Sequence, residues 1–76
     1  MPYELADDVA LAEEAVRAAR EDLRVMTARY RAGAASVLER ITSQVNLATA
    51  EQELVTVRYD YQVARAELEA LAGRGL

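Results

Sequence analysis

The chain has 76 residues, with 13 acidic side chains against 9 basic ones, no His and no Cys, for a formal net charge of −4. A chain this short makes one small domain at most and buries only a modest share of its surface alone, so a partner is expected. Without Cys or His there are no disulfides, thiolate or imidazole metal sites, or Ser-His and Cys nucleophile arrangements, and the acid excess argues against a nucleic-acid partner.

The bulk of the chain is Ala, Leu, Val, Glu and Arg, with Gly and Pro confined to the ends and one interruption, a composition that favours long helices. Every basic residue is Arg, and the Arg residues are unevenly placed. Arg17, Arg20, Arg24, Arg29, Arg31 and Arg40 face only Glu21, Asp22 and Glu39 within the same stretch, so a folded hairpin would be basic at its tip and acidic at its open end. Such a charge run is more often a solvated face than a binding site. The longest apolar runs, such as Val9 to Ala12, fall far short of the ~20 residues that span a bilayer. The N-terminus carries Glu4, Asp7 and Asp8 rather than a basic region followed by an apolar run, so no secretory signal is expected there.

In chain order, a first helix is predicted over about 3–31. Its apolar residues fall at Leu5, Val9, Ala12, Val16, Ala19, Leu23, Met26 and Tyr30 in alternating steps of four and three, which is a heptad seam. Glu13, Arg17 and Glu21 read as an outward ladder at four-residue spacing, and the Arg residues of the last turn complement the helix macrodipole. The tip turn is predicted at 32–35. Gly33 can end a helix in the left-handed conformation, and Ser36 followed three residues later by Glu39 is a capping box that starts the next helix.

The second helix is predicted over about 36–72, with Gly73 as its stop, and it carries two apolar seams. The first is Leu38, Ile41, Val45, Ala48, Gln52, Val55 and Tyr59; the second is Leu47, Ala50, Leu54, Val57, Tyr61, Ala64, Leu68 and Leu71. Residues two apart differ by about 200° around a helix, so the seams lie on nearly opposite faces. A reversal at Gly33 pairs Met26 with Ile41, Leu23 with Val45, Ala19 with Ala48, Ala12 with Val55 and Val9 with Tyr59, which matches the first helix to the first seam. The second seam is then expected to face outside. Its large residues Leu47, Leu54, Val57, Tyr61, Leu68 and Leu71 would each forgo about 1.5–3 kcal/mol if left in water, so they are expected to form a self-association seam. Leu11, Ala15, Ala18 and Val25 make a weaker second stripe on the first helix. The fold class expected is all-α: an antiparallel two-helix coiled-coil hairpin that assembles into a larger helical bundle or α-barrel wall.

No catalytic, cofactor-binding or metal-binding residue is expected. The carboxylates at Asp7-Asp8, Glu13-Glu14 and Glu51 with Glu53 lie in polar stretches with nothing to desolvate one of a pair, and there is neither a Glu-x-x-His motif nor a Gly-rich loop after a strand. Arg29, Arg31 and Arg40 could hold an anion near the tip, although outward Arg on a helix is more often a solubilising face. A small helical enzyme would need a convergent polar cluster inside the bundle, and Gln52 and Gln62 are the only non-aromatic polar residues seen at seam positions there.

From about Leu23 to Gly73 the sequence resembles the outer-membrane efflux protein (TolC) family. The resemblance rests on Ala28-Arg29-Tyr30-Arg31-Ala32-Gly33-Ala34-Ala35-Ser36, then Val37-Leu38-Glu39, Ser43-Gln44, Ala50, Glu53-Leu54 and Val57-Arg58-Tyr59-Asp60-Tyr61, with Ala64, Ala66, Leu68 and Ala72-Gly73 in ungapped order. It implies the helical hairpin of the C-terminal repeat, three protomers of which build a periplasmic α-barrel below an outer-membrane β-barrel. It further implies that Tyr30, Arg31, Ala32, Gly33, Ala34, Ala35 and Ser36 form a tip that docks a periplasmic adaptor protein, with Tyr30 at the family's tip tyrosine. Ala35 stands where some members place a basic residue. A complete member has two repeats, β-strands and a signal peptide, so the chain is expected to be an excised, designed or truncated hairpin that by itself forms no channel. The alternative is a standalone or designed hairpin that self-associates into a four-helix bundle with no transport role.

Overall fold

A computed structural model describes the backbone of residues 2–75 and the side chains of residues 6–73. Two helices account for it, α1 over Pro2–Arg31 and α2 over Val37–Gly75, packed against each other along their length, with no strand among the described residues. The molecule is a rod of 65 × 14 × 12 Å. Leu5, the first position of the seam on α1, lies outside the residues whose side chains are described.

The reversal is built from a few local hydrogen bonds. Gly33 is the one described residue with positive φ, at 77°. Its N–H donates to the Tyr30 carbonyl at 3.0 Å while the Ala34 N–H donates to the Arg29 carbonyl at 2.7 Å, the paired bonds of a Schellman ending. The chain restarts at Ser36, whose Oγ accepts from the Glu39 N–H at 3.1 Å while Glu39 Oε2 accepts from the Ser36 N–H at 3.1 Å. That reciprocal pair satisfies two donors which would otherwise be orphaned at the start of α2. At the far end α2 continues through Gly73 to Gly75. Gly73 keeps a negative φ, so no left-handed ending forms there, and a helical Gly costs only about 1 kcal/mol relative to Ala.

Along α1 the apolar residues turned inward are Val9, Ala12, Val16, Ala19, Leu23 and Met26, with Val16, at 3% exposure, the one buried apolar side chain among the described residues. On α2 the inward set is Arg40, Ser43, Leu47, Ala50, Leu54, Val57, Tyr61 and Ala64. Leu38, Ile41, Val45, Ala48, Gln52, Val55 and Tyr59 are exposed. The side of α2 expected to meet α1 therefore points away from it, and the seam expected to face outside supplies the hairpin's own interface.

The axial level of the two helices nevertheless follows from the turn. Glu13 pairs with Arg58, Arg20 with Glu51, and Asp22 with Ser43, all antiparallel partners about Gly33. What differs is the rotation of α2 about its axis. Val57 borders a hollow with Ala12 and Ala15, and Leu54 borders one with Val16, so this seam of α2 lies against the seam of α1. Four of the six residues expected on an outward seam, Leu47, Leu54, Val57 and Tyr61, are thus half-buried within the hairpin. Leu68 and Leu71 stay exposed because α2, at 39 residues against 30 for α1, runs past the start of its mate.

Candidate interaction surfaces

The tip presents a compact polar and small-residue surface. Tyr30, Arg31, Ala32, Gly33, Ala34 and Ser36 are exposed, and Ala35 is half-buried under the turn. Arg29 Nη2 donates to the Ala34 carbonyl at 3.2 Å, which ties the end of α1 to the loop. Arg40, one turn into α2, lays its guanidinium over the Tyr30 ring with 5.4 Å between Cζ and the ring centroid, a cation–π contact that bridges the two helices across the turn. The Arg40 Nε is buried and makes no hydrogen bond, so Tyr30 is the partner that this guanidinium has in place of a carboxylate. Tyr30, expected as the last position of the seam on α1, is instead exposed and forms one wall of the tip. Among the described residues no ion pair engages Arg29, Arg31 or Arg40, which leaves the tip with net positive charge.

The charge pairs elsewhere are short and mostly exposed. Arg24 binds Glu21 through two nitrogens at 2.6 and 2.9 Å, and this neighbour holds the Glu21 carboxyl below the ordinary range and raises the Arg24 guanidinium. Glu13, expected on an outward ladder with Arg17 and Glu21, turns instead toward Arg58 of α2 at 3.3 Å. Arg20 reaches Glu51 at 3.7 Å and Arg65 reaches Glu69 at 3.2 Å.

A second surface is the outer face of α2. Leu38 at 69% exposure, Ile41 at 46%, Val45 at 57%, Val55 at 63% and Tyr59 at 67% form an unbroken three-and-four spacing with Ala48 and Gln52 between them. Thr42 and Thr56 flank this face and turn their hydroxyls back to the carbonyls of Leu38 and Gln52 at 2.9 and 3.1 Å, so they present methyl groups more than free donors. On the other side, a hollow of about 380 Å³ opens between the helices, lined by Asp8, Leu11, Ala12, Ala15, Ala50, Glu53 and Val57.

Two residues of the interface escaped the seam reading. Ser43 is buried to 3% exposure and donates its hydroxyl to Asp22 Oδ2 on α1. Ser43 and Arg40 continue the spacing of Leu47, Ala50 and Leu54 toward the tip, and that continuation was the available signal. A search for apolar residues alone stops at Leu47.

A family model described as outer membrane efflux protein matches residues 4–74. No curated protein and no solved structure matches the chain.

Proposed function

Because the chain belongs to the outer membrane efflux protein family, we propose that it is an adaptor-docking stave: a non-catalytic helical hairpin that packs into the wall of an efflux channel and meets a periplasmic adaptor protein with its tip. The observation that carries this reading is the built turn. The Schellman bonds, the capping box and the Arg40–Tyr30 contact together hold Tyr30 to Ser36 in one conformation at the end of a 65 Å rod. A preformed convex tip of small exposed residues admits close approach by a partner's backbone at little ordering cost. The outer face of α2 would then pack against the neighbouring helix of the wall, on the periplasmic side of the outer membrane. No described helix is long and apolar enough to cross a membrane.

The test exchanges Ala32–Ala35 for another turn that preserves Gly33 and measures binding to the cell's periplasmic adaptor by surface plasmon resonance. Helical content should stay unchanged while binding falls at least tenfold. Equal binding by the exchanged tip would reject docking through this surface. The same exposed apolar face also suits the alternative of a hairpin that only self-associates into a four-helix bundle, and that reading expects no adaptor binding from either chain.

A further inference from the structure

We infer that the hydrogen bond from Ser43 to Asp22 sets the rotation of α2 within the hairpin, and so selects which of its two apolar faces is offered to a partner. The need for a selector follows from the residues themselves. The inner face contributes Leu47, Leu54, Val57 and Tyr61, while the outer face contributes Leu38, Ile41, Val45, Val55 and Tyr59, residues of the same size at the same levels. Apolar burial is non-directional and close to indifferent between these two settings. Directional polar contacts are not indifferent.

In the observed rotation Ser43 is the one buried polar residue of the interface, and its hydroxyl meets a carboxylate on α1. Turning α2 by the angle that separates the two faces would carry Ser43 to the outside, bring Ile41 and Val45 against α1 beside Asp22, and part Arg20 from Glu51 and Glu13 from Arg58. Those two ion pairs are exposed and weak selectors. A buried hydroxyl donating to a charged acceptor is the strongest of the three, and a single polar position at a seam is a well-attested device for fixing how helices pair. Ser43 thus acts as a positioning residue: it decides the exposed surface without being part of it. This inference concerns the hairpin alone and stands whether or not the tip binds an adaptor.

The chain has no Cys, so engineered pairs can report the rotation. The Arg20–Glu51 pair holds Ala19 and Ala50 at one level on the inner seam, whereas Ala48 lies on the outer face. Ala19→Cys with Ala50→Cys should form an intrachain disulfide readily, and Ala19→Cys with Ala48→Cys should not; mass separates intrachain from interchain products. Adding Ser43→Ala should shift the ratio of the two bridges roughly tenfold toward the 19/48 pair, while Ser43→Thr, which keeps the hydroxyl, should leave it near its starting value. A role in stability alone would speed or slow both bridges together and leave their ratio unchanged, and that result overturns the inference. If Ser43→Ala loses its helical signal, Asp22→Ala at the exposed end of the same bond replaces it, with the same shift expected and the same unchanged ratio as the refuting result.

Discussion

Gly33 and Ser36 carry the reversal for different physical reasons, and their variants separate those reasons. A Cβ built on Gly33 meets nothing within 4 Å, so the cost of Gly33→Ala is backbone strain alone at φ of 77°. It should destabilise the hairpin by about 1–2 kcal/mol in urea denaturation, with Gly33→Asn costing less because Asn visits the left-handed region more readily. Ser36→Ala removes the acceptor for the Glu39 N–H and should cost about 1 kcal/mol, seen as a lowered melting temperature. If the reciprocal bond from the Ser36 N–H to Glu39 acts as one unit with it, Glu39→Ala in the same background adds less than it does alone. Both residues were legible in the sequence because turn and cap chemistry is local: Gly33, Ser36 and Glu39 interact with neighbours a few positions away. Glu21 offers a pH test of the same local kind. Arg24 depresses its carboxyl in the folded state, so the stabilisation is present above the unfolded value and disappears as pH falls through the lower folded one. An NMR titration should place Glu21 below the ordinary value of a Glu carboxyl, and Arg24→Gln should bring it back toward that value.

At the scale of the helix, α1 was readable to its seam and α2 was not. The apolar residues of α1 follow one strong stripe, and burial of Val9, Ala12, Val16, Ala19, Leu23 and Met26 follows from it. On α2 two stripes of nearly equal apolar content compete, and periodicity assigns both to a helix without saying which one meets α1. The choice rests on long-range contacts, Asp22 with Ser43, Glu13 with Arg58 and Arg20 with Glu51, which no window along the sequence contains. A paired substitution checks the rotation energetically. Leu54→Ala removes a half-buried side chain and should cost about 1–2 kcal/mol, below the range for a fully enclosed Leu, whereas Val55→Ala, at 63% exposure, should be nearly neutral at concentrations where the chain is monomeric. Equal costs in chemical denaturation, or a larger cost at Val55, would contradict the orientation of α2.

The whole molecule is a rod with one buried apolar residue among those described and a long apolar stripe in water, an arrangement that is stable only marginally by itself and improves when the stripe is covered. In the proposed channel wall the next helix would supply that cover. In solution the free hairpin has only copies of itself, so it should associate through Leu38, Ile41, Val45, Val55 and Tyr59 rather than through the residues already spent on the hairpin interface. Val45→Glu with Val55→Glu should therefore leave circular dichroism unchanged and reduce the mass found by sedimentation to that of one chain, 8.4 kDa. Leu54→Glu should behave differently, because it places a charge in the seam between α1 and α2 and costs helix and association together. The two outcomes separate the surfaces: loss of mass with intact helices marks an outer face, and loss of both marks the hairpin core. Should Val45→Glu with Val55→Glu keep the full assembly mass, the stripe is not the contact between copies, and the hollow beside Leu11 and Ala15 becomes the next surface to charge.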